Sequence, residues 1–154
     1  MKILALDIAT KTGWATEEES GVFDFTLKRG ETKGLIPLRF KSKIIELIKL
    51  ANVELIAYER PAGRNAHSII LASKMIAHLE EYCLENNIEL ATYSAKEIKK
   101  FFTGNGNSSK EKMIEQAKHK FPNMEIIDDN HADALALLEL ANQTSNDTTY
   151  ISLS

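Results

Sequence analysis

The chain is short of the residues that staple or interrupt small folds. Its single cysteine, Cys83, excludes an internal disulfide and fits a reducing compartment. In an amphipathic segment it reads as a small buried hydrophobe. Three prolines and seven glycines in 154 residues are too few for a fibrous or low-complexity chain. No uninterrupted apolar run approaches the ~20 residues that span a bilayer. The opening MKILALDIAT starts like a signal peptide, but it carries Asp7 within the apolar run and no small-residue cleavage site follows. The expectation is a cytoplasmic protein with no membrane partner. An excess of basic charge is missing too: 19 Lys and Arg against 22 Asp and Glu leave −3, whereas nucleic-acid binders are usually basic. Carboxylates that bind divalent cations cease to repel phosphate, and local lysine clusters outweigh the sum, so the deficit disfavours nucleic acid only mildly.

What is present is an ordinary globular composition, with 44% hydrophobic and 27% charged residues. The length suits one domain able to bury its own core. We expect that domain over residues 1–142, and a polar, frayed tail over 143–154. MKILALDI reads as a buried strand, TGWAT and VFDFTL as strands of a hairpin punctuated by Gly13 and Gly21, and VELIAYE as a strand ending at Glu59. Helical spacing runs from Leu35 to Leu50, with Leu38, Ile45 and Ile48 among its apolar residues, and from Asn65 to Asn86. IELATYS is a further strand. Ser94 and Glu97 form a capping box for a short helix through Lys100, and TGNGNSS reads as a flexible loop. Ser109 begins another helix that ends before Pro122, and a last one starts near Asp128 to Asn130. The alternation implies an α/β domain whose mixed sheet begins antiparallel and continues with parallel crossovers.

Three acids sit where acids are least expected. Asp7 ends the first apolar strand, Glu59 ends the central one, and Asp133 lies one turn into the final helix among alanines and leucines. A buried, unpaired carboxylate is costly. Each has a bland explanation alone: Asp7 as a turn cap, Glu59 paired with Arg60, Asp133 bonded to a backbone amide. Together they suggest a carboxylate cluster, whose usual remedy is one or two hard cations, Mg²⁺ or Mn²⁺. Two such ions clamp the attacking and leaving oxygens of a phosphodiester displacement without a Ser, Cys or His nucleophile. A fourth ligand is expected one helical turn before Asp133, where Asn130 and Asp129 are equal candidates. Asp129 has an alternative use as the helix N-cap, and His131 should face elsewhere.

At this point the residues resemble a known family. ILALDIATKTGWA is similar to the opening strand of RuvC-type Holliday junction resolvases, AYERP to the motif carrying their catalytic Glu, and GRNAHSIILASKM to the start of their long helix. KKFFTGNGNSSKEKM resembles their DNA-contacting lysine stretch, and NHADALALL their last motif. The five blocks occur in order from about residue 3 to residue 140. The resemblance implies a ribonuclease-H-like fold, a five-stranded sheet flanked by helices, and an endonuclease using two Mg²⁺ or Mn²⁺ ions. It implies a homodimer that nicks four-way junctions. Asp7, Glu59 and Asp133 match the catalytic, metal-binding acids, joined by Asn130 or Asp129. Lys99, Lys110, Arg64 and Asn65 match DNA-contacting positions, although solvated helix faces are the ordinary fate of such lysines. Two positions depart from the pattern: Asn130 stands where an acid or histidine is usual, and Ala62 where an aromatic is frequent. These departures and the short chain resemble phage and prophage variants.

Other functions compete. A nuclease of the same fold can act on forks, flaps or RNA–DNA hybrids, since metal geometry fixes the reaction and not the nucleic-acid shape. A non-catalytic module binding branched DNA is the reading that Asn130 favours. Actin-like and sugar-kinase ATPases also place an Asp after a first strand, but they enclose nucleotide between two domains, for which 154 residues are too few.

Overall fold

The computed structural model describes residues 1–63 and 65–147. The first strand, β1 (Ile3–Asp7), is followed by β2 (Lys11–Ala15) and β3 (Ser20–Asp24), then α1 (Leu35–Ala51), β4 (Leu55–Glu59) and α2 (Ala66–Glu85). β5 (Glu89–Tyr93), α3 (Ala95–Thr103), α4 (Lys110–Lys120) and α5 (Asp129–Asp147) complete the described elements. The strands form one five-stranded sheet in the order β3-β2-β1-β4-β5. β1 pairs antiparallel with β2 and parallel with β4, so the sheet is mixed as expected from the opening hairpin.

Both faces of this sheet are covered, which explains why β1 and β4 are apolar almost throughout. Leu4, Leu6, Ile56 and Tyr58 join Ile36, Phe40, Ile44 and Ile48 of α1 and Met75, Ile76 and Leu79 of α2 in one core. Ile3, Ala5, Leu55 and Ala57 join Ile98, Met113, Leu135 and Leu137 from α3, α4 and α5 in the other. Side chains alternate between faces along a strand. Asp7 and Glu59 therefore continue the Ile3–Ala5 and Leu55–Ala57 rows, on the face that α5 covers. Ala132, Ala134, Ala136 and Ala141 are all buried, and their small side chains let α5 lie close to the strands.

Several local expectations need correction. The buried stripe of α1 is Ile36, Phe40, Ile44 and Ile48, four apart, while Leu38 is 61% exposed and Ile45 is only half-buried. Gly13 is not turn punctuation but the middle of β2. Within the TGNGNSS loop the Thr103 hydroxyl bonds to the Ser108 hydroxyl, and Asn105 Oδ1 accepts from the Asn107 N–H at 2.9 Å. Gly104 supplies the left-handed residue (φ 86°) that ends α3. α5 continues past Asn142 to Asp147. The Thr144 hydroxyl lies 2.7 Å from the Tyr93 hydroxyl, which ties this extra turn to β5. The rest of the polar tail, 148–154, and Arg64 lie outside the described residues.

Candidate active site

Parallel pairing sets two of the acids side by side. Leu6 pairs with Tyr58 in the β1–β4 ladder, so Asp7 and Glu59 are the next residues of adjacent strands, about 4.8 Å apart in backbone. A local ring holds the chain where it leaves Asp7. Buried Thr12 donates its hydroxyl to the Ala9 carbonyl at 2.6 Å and accepts from the Ala9 N–H at 3.4 Å. Asp7 also pairs with Gly13 of β2. There the first turn of α5 rests on the sheet so closely that a Cβ at Gly13 would lie 1.9 Å from the Asn130 carbonyl oxygen. Glycine at this one position lets α5 bring Asp133 over Asp7.

At the start of α5, Asp129 and Asn130 have different surroundings. Asp128 is the capping residue, its Oδ1 accepting from the His131 N–H at 2.8 Å. Asp129 is thereby free of that duty, and its carboxylate lies 3.6 Å from Lys110 Nζ. Asn130 instead directs its amide toward Asp128 Oδ2 at 3.5 Å. His131 faces away, as its spacing implied. Its Nδ1 accepts from the Ile127 N–H at 3.1 Å, so the ring proton sits on Nε2, 2.9 Å from the Ser20 hydroxyl that it donates to. Burial lowers its pKa, and the neutral ring serves to fix the segment entering α5.

One small hollow is lined by Asp7, Glu59, Lys99 and Asp133, with Ala95, Ile98 and Leu137 as apolar walls. It adjoins a groove of about 150 Å³ that shares Asp7 and Glu59 and runs past Pro61, Ala62 and Ser68. Burial drives the Asp7 carboxyl well above its ordinary pKa, and the charges of Asp133, Glu59, Asp129 and Asp128 push it the same way. Burial also raises Glu59, against the pull of Lys99. Asp133 is pushed up to about 7 by burial, then by Glu59 and Asp129, with Lys99 and Lys110 opposing. Among the described residues, no hydrogen bond or ion pair reaches the Asp7, Glu59 or Asp133 carboxylate. The bland alternatives thus lose their partners: Arg60 pairs with Glu97 at 3.6 Å rather than with Glu59.

The remaining positions separate. Lys99 lines the hollow, and Lys110 reaches its rim through Asp129. Asn65 is the N-cap of α2, its side chain accepting from the Ser68 N–H at 3.3 Å, a role that an Asn three residues before a Ser at a helix start allows. Ala62 is exposed in the groove. Among the described residues, no three His, Cys, Asp or Glu side chains already stand at ligand spacing around one point. The chemistry of the donors nevertheless suits a hard cation. They are oxygen ligands, withdrawn from water, mutually repelling, and opposed among the described residues by Lys99 and Lys110. Gly13, Thr12 and Asp128 were not recognised from sequence as parts of this arrangement. Only Asp128 left a usable signal, an Asp three residues before the N–H it caps.

Residues 30–139 match the family model described as crossover junction endodeoxyribonuclease RuvC, a span that includes every site residue above except those on β1 and β2. Crossover junction endodeoxyribonuclease RuvC of Brachyspira hyodysenteriae (strain ATCC 49526 / WA1) is 44% identical over 52 residues, 34% of this chain and 32% of that one. The matched segment thus spans about a third of that relative's length. Among solved structures, Thermus thermophilus RuvC superposes with a TM-score of 0.76 at 17% identity, covering 96% of this chain and 98% of that one. T. thermophilus RuvC in complex with Holliday junction substrate gives 0.76 at 17% identity, over 96% and 97%. Ydc2, the yeast mitochondrial Holliday junction resolvase, gives 0.58 at 19% identity, over 88% and 75%. At such identities the structural likeness establishes the ribonuclease-H-like fold.

Proposed function

The chain belongs to the RuvC family of crossover junction endodeoxyribonucleases, and from that premise we propose that it is a divalent-metal-dependent endonuclease that nicks four-way DNA junctions. The observation that carries the reading is the convergence of Asp7, Glu59 and Asp133 on one hollow with no partners of their own. Three partly buried carboxylates that repel one another and form no ion pair are a poor device for stability. They are a good one for holding Mg²⁺ or Mn²⁺.

We assign Asp7, Glu59 and Asp133 as the principal ligands and Asp129 as the fourth, because it stands one turn before Asp133 and its charge reaches both Asp7 and Asp133. Asn130 is left as a neutral neighbour able to offer a carbonyl oxygen. A bound pair of ions supplies the Lewis acidity that activates water and stabilises the departing 3′ oxygen. The protein's share is placement. The β1–β4 register holds Asp7 against Glu59, Gly13 sets the height of α5, and Ala95, Ile98 and Leu137 keep bulk water from one wall. Lys99, beside Glu59 and Asp133, is placed to neutralise the scissile phosphate, and Lys110 to contact the backbone nearby. Asn65 caps α2, and contacts from it and from Arg64, its neighbour in sequence, to the same strand would complete the grip.

Opposed nicks in a four-way junction require two sites related by a two-fold axis, so the protein acts as a homodimer. Ile70 on α2, 53% exposed, and Leu84, 78% exposed, offer apolar surface for that pairing. No described helix is long and apolar enough to cross a membrane, and we place the reaction in the cytoplasm with the chain's DNA substrate. The test is a panel of labelled four-way junction, duplex, fork and RNA–DNA hybrid, each with Mg²⁺, Mn²⁺ or EDTA. Paired nicks near the junction point that vanish in EDTA are expected. Cutting confined to forks or hybrids would retain the metal site and overturn the substrate, and tight junction binding without cutting under either metal would overturn the enzyme.

A further inference from the structure

The net charge of −3 is unevenly distributed. Between Phe25 and Ile45 lie Lys28, Arg29, Lys33, Arg39, Lys41 and Lys43 against Glu31 alone, so this segment is +5 and the remainder −8. Its position is set by the sheet. Lys11 pairs with Asp24 at the end of β3, which places the exit of β3 at the same sheet edge as Asp7. The Phe25 N–H then donates to the Thr10 carbonyl at 2.8 Å, three residues from Asp7. The Phe25 ring packs edge-on against Phe40 of α1, so the root of the segment is pinned on both sides.

The acids within reach are already engaged. Both Glu31 carboxylate oxygens accept from the Arg39 guanidinium, and one also accepts from the Lys28 N–H at 2.6 Å. Asp24 accepts from the N–H and hydroxyl of Thr26. Among the described residues no salt bridge consumes Lys28, Arg29 or Lys33, all of which are exposed. β3 lies two strands from β1, about 10 Å. The carboxylate hollow therefore stands between Lys99 of α3, the helix that follows β5, and this segment, which follows β3.

Resting on the nuclease reading above, we infer that residues 28–33 form a second DNA-binding surface, an arm whose Lys28, Arg29 and Lys33 grip the phosphate backbone to one side of the cut. Such contacts position a duplex arm and read no base. The arm contributes to holding the substrate and not to the bond-breaking step.

The test uses the full chain with three exchanges, Lys28→Gln, Arg29→Gln and Lys33→Gln, against labelled four-way junction in EDTA at several salt concentrations. We expect affinity to fall about ten-fold or more near 0.1 M salt, and the slope of log affinity against log salt to become shallower by about 2 to 3. Nicking at saturating protein with Mg²⁺ should stay within about two-fold of the parent, because the acids are untouched. A control exchanging Lys2→Gln and Lys49→Gln, at the opposite sheet edge, removes charge without touching the arm and should leave affinity nearly unchanged. Unaltered affinity and slope in the triple variant would overturn the arm while the parent's nicking upheld the nuclease. An equal loss in the control would overturn it too, by making the effect one of net charge. A parent that neither binds nor nicks any junction would overturn the nuclease reading and the arm with it.

Discussion

Replacing Gly13 by alanine inserts one methyl group between the sheet and the first turn of α5. Its carbon would lie 1.9 Å from the Asn130 carbonyl oxygen and 2.4 Å from the carbonyl carbon. Ordinary contact begins near 3.4 Å, so the helix must retreat by about 1.5 Å or the strand must sink by a similar amount. Neither neighbour yields cheaply, since both contacts are backbone and both elements are buried. Asp133 follows Asn130 within one turn of the same helix, so its carboxylate moves by about 1 Å relative to Asp7 and Glu59. Overpacking of this kind costs about 1–3 kcal/mol, and misplacement of that size in a reacting constellation costs on the order of 100-fold in rate. The assay is single-turnover nicking of a labelled four-way junction with Mg²⁺, well below the melting temperature, alongside a circular-dichroism melt and a binding measurement in EDTA. We expect a folded protein, junction affinity within about three-fold of the parent because the lysines are unmoved, and about 100-fold slower nicking. A Gly13→Ala protein that nicks at the parental rate would refute the claim that α5 height sets the metal site.

The raised pKa values make stability pH-dependent in a definite direction. Asp133 titrates near 7 when folded and near 3.8 unfolded, so the folded state holds the extra proton in between. Stability is therefore greatest below pH 4 as far as this group is concerned and falls as pH rises toward 7. Metal-free melts at pH 5 and pH 8 should show it, Asp133→Asn should flatten the dependence, and added Mg²⁺ should restore stability at pH 8. Asp7→Asn should abolish nicking while junction binding in EDTA persists or tightens; retained nicking would displace Asp7 from the ligand set. Asp129→Asn should lower the apparent Mg²⁺ affinity of nicking more than Asn130→Ala does, and the reverse order would return the fourth position to Asn130. Asn65→Ala removes the α2 cap and should cost about 1 kcal/mol, a fall in melting temperature of about 2–4 °C.

Much of the site was legible because polarity was misplaced in a local pattern. Asp7 and Glu59 each end an apolar strand, and Asp133 interrupts an alanine-rich helix, so the three stood out before any fold was known. The capping box at Ser94 and the N-caps at Asn65 and Ser109 follow equally local rules. Periodicity was less reliable in α1, where apolar residues on two faces put Leu38 and Ile45 beside Ile48 until α2 and the sheet selected the face of Ile36, Phe40, Ile44 and Ile48. The composition of the TGNGNSS loop records the freedom of glycine but not the Thr103–Ser108 bond that joins its two ends.

The sequence by itself determined the elements, their order, and which residues carried charge into apolar surroundings, because these depend on neighbours a few positions apart. Tertiary structure alone decided which acids meet. Strand register set Asp7 beside Glu59, and a missing Cβ at Gly13 fixed the height of Asp133. It also decided that the basic segment after Phe25 emerges at the acidic edge of the sheet. Those outcomes join residues some 15 to 120 positions apart, and only packing, which acts through space, brings such residues into contact.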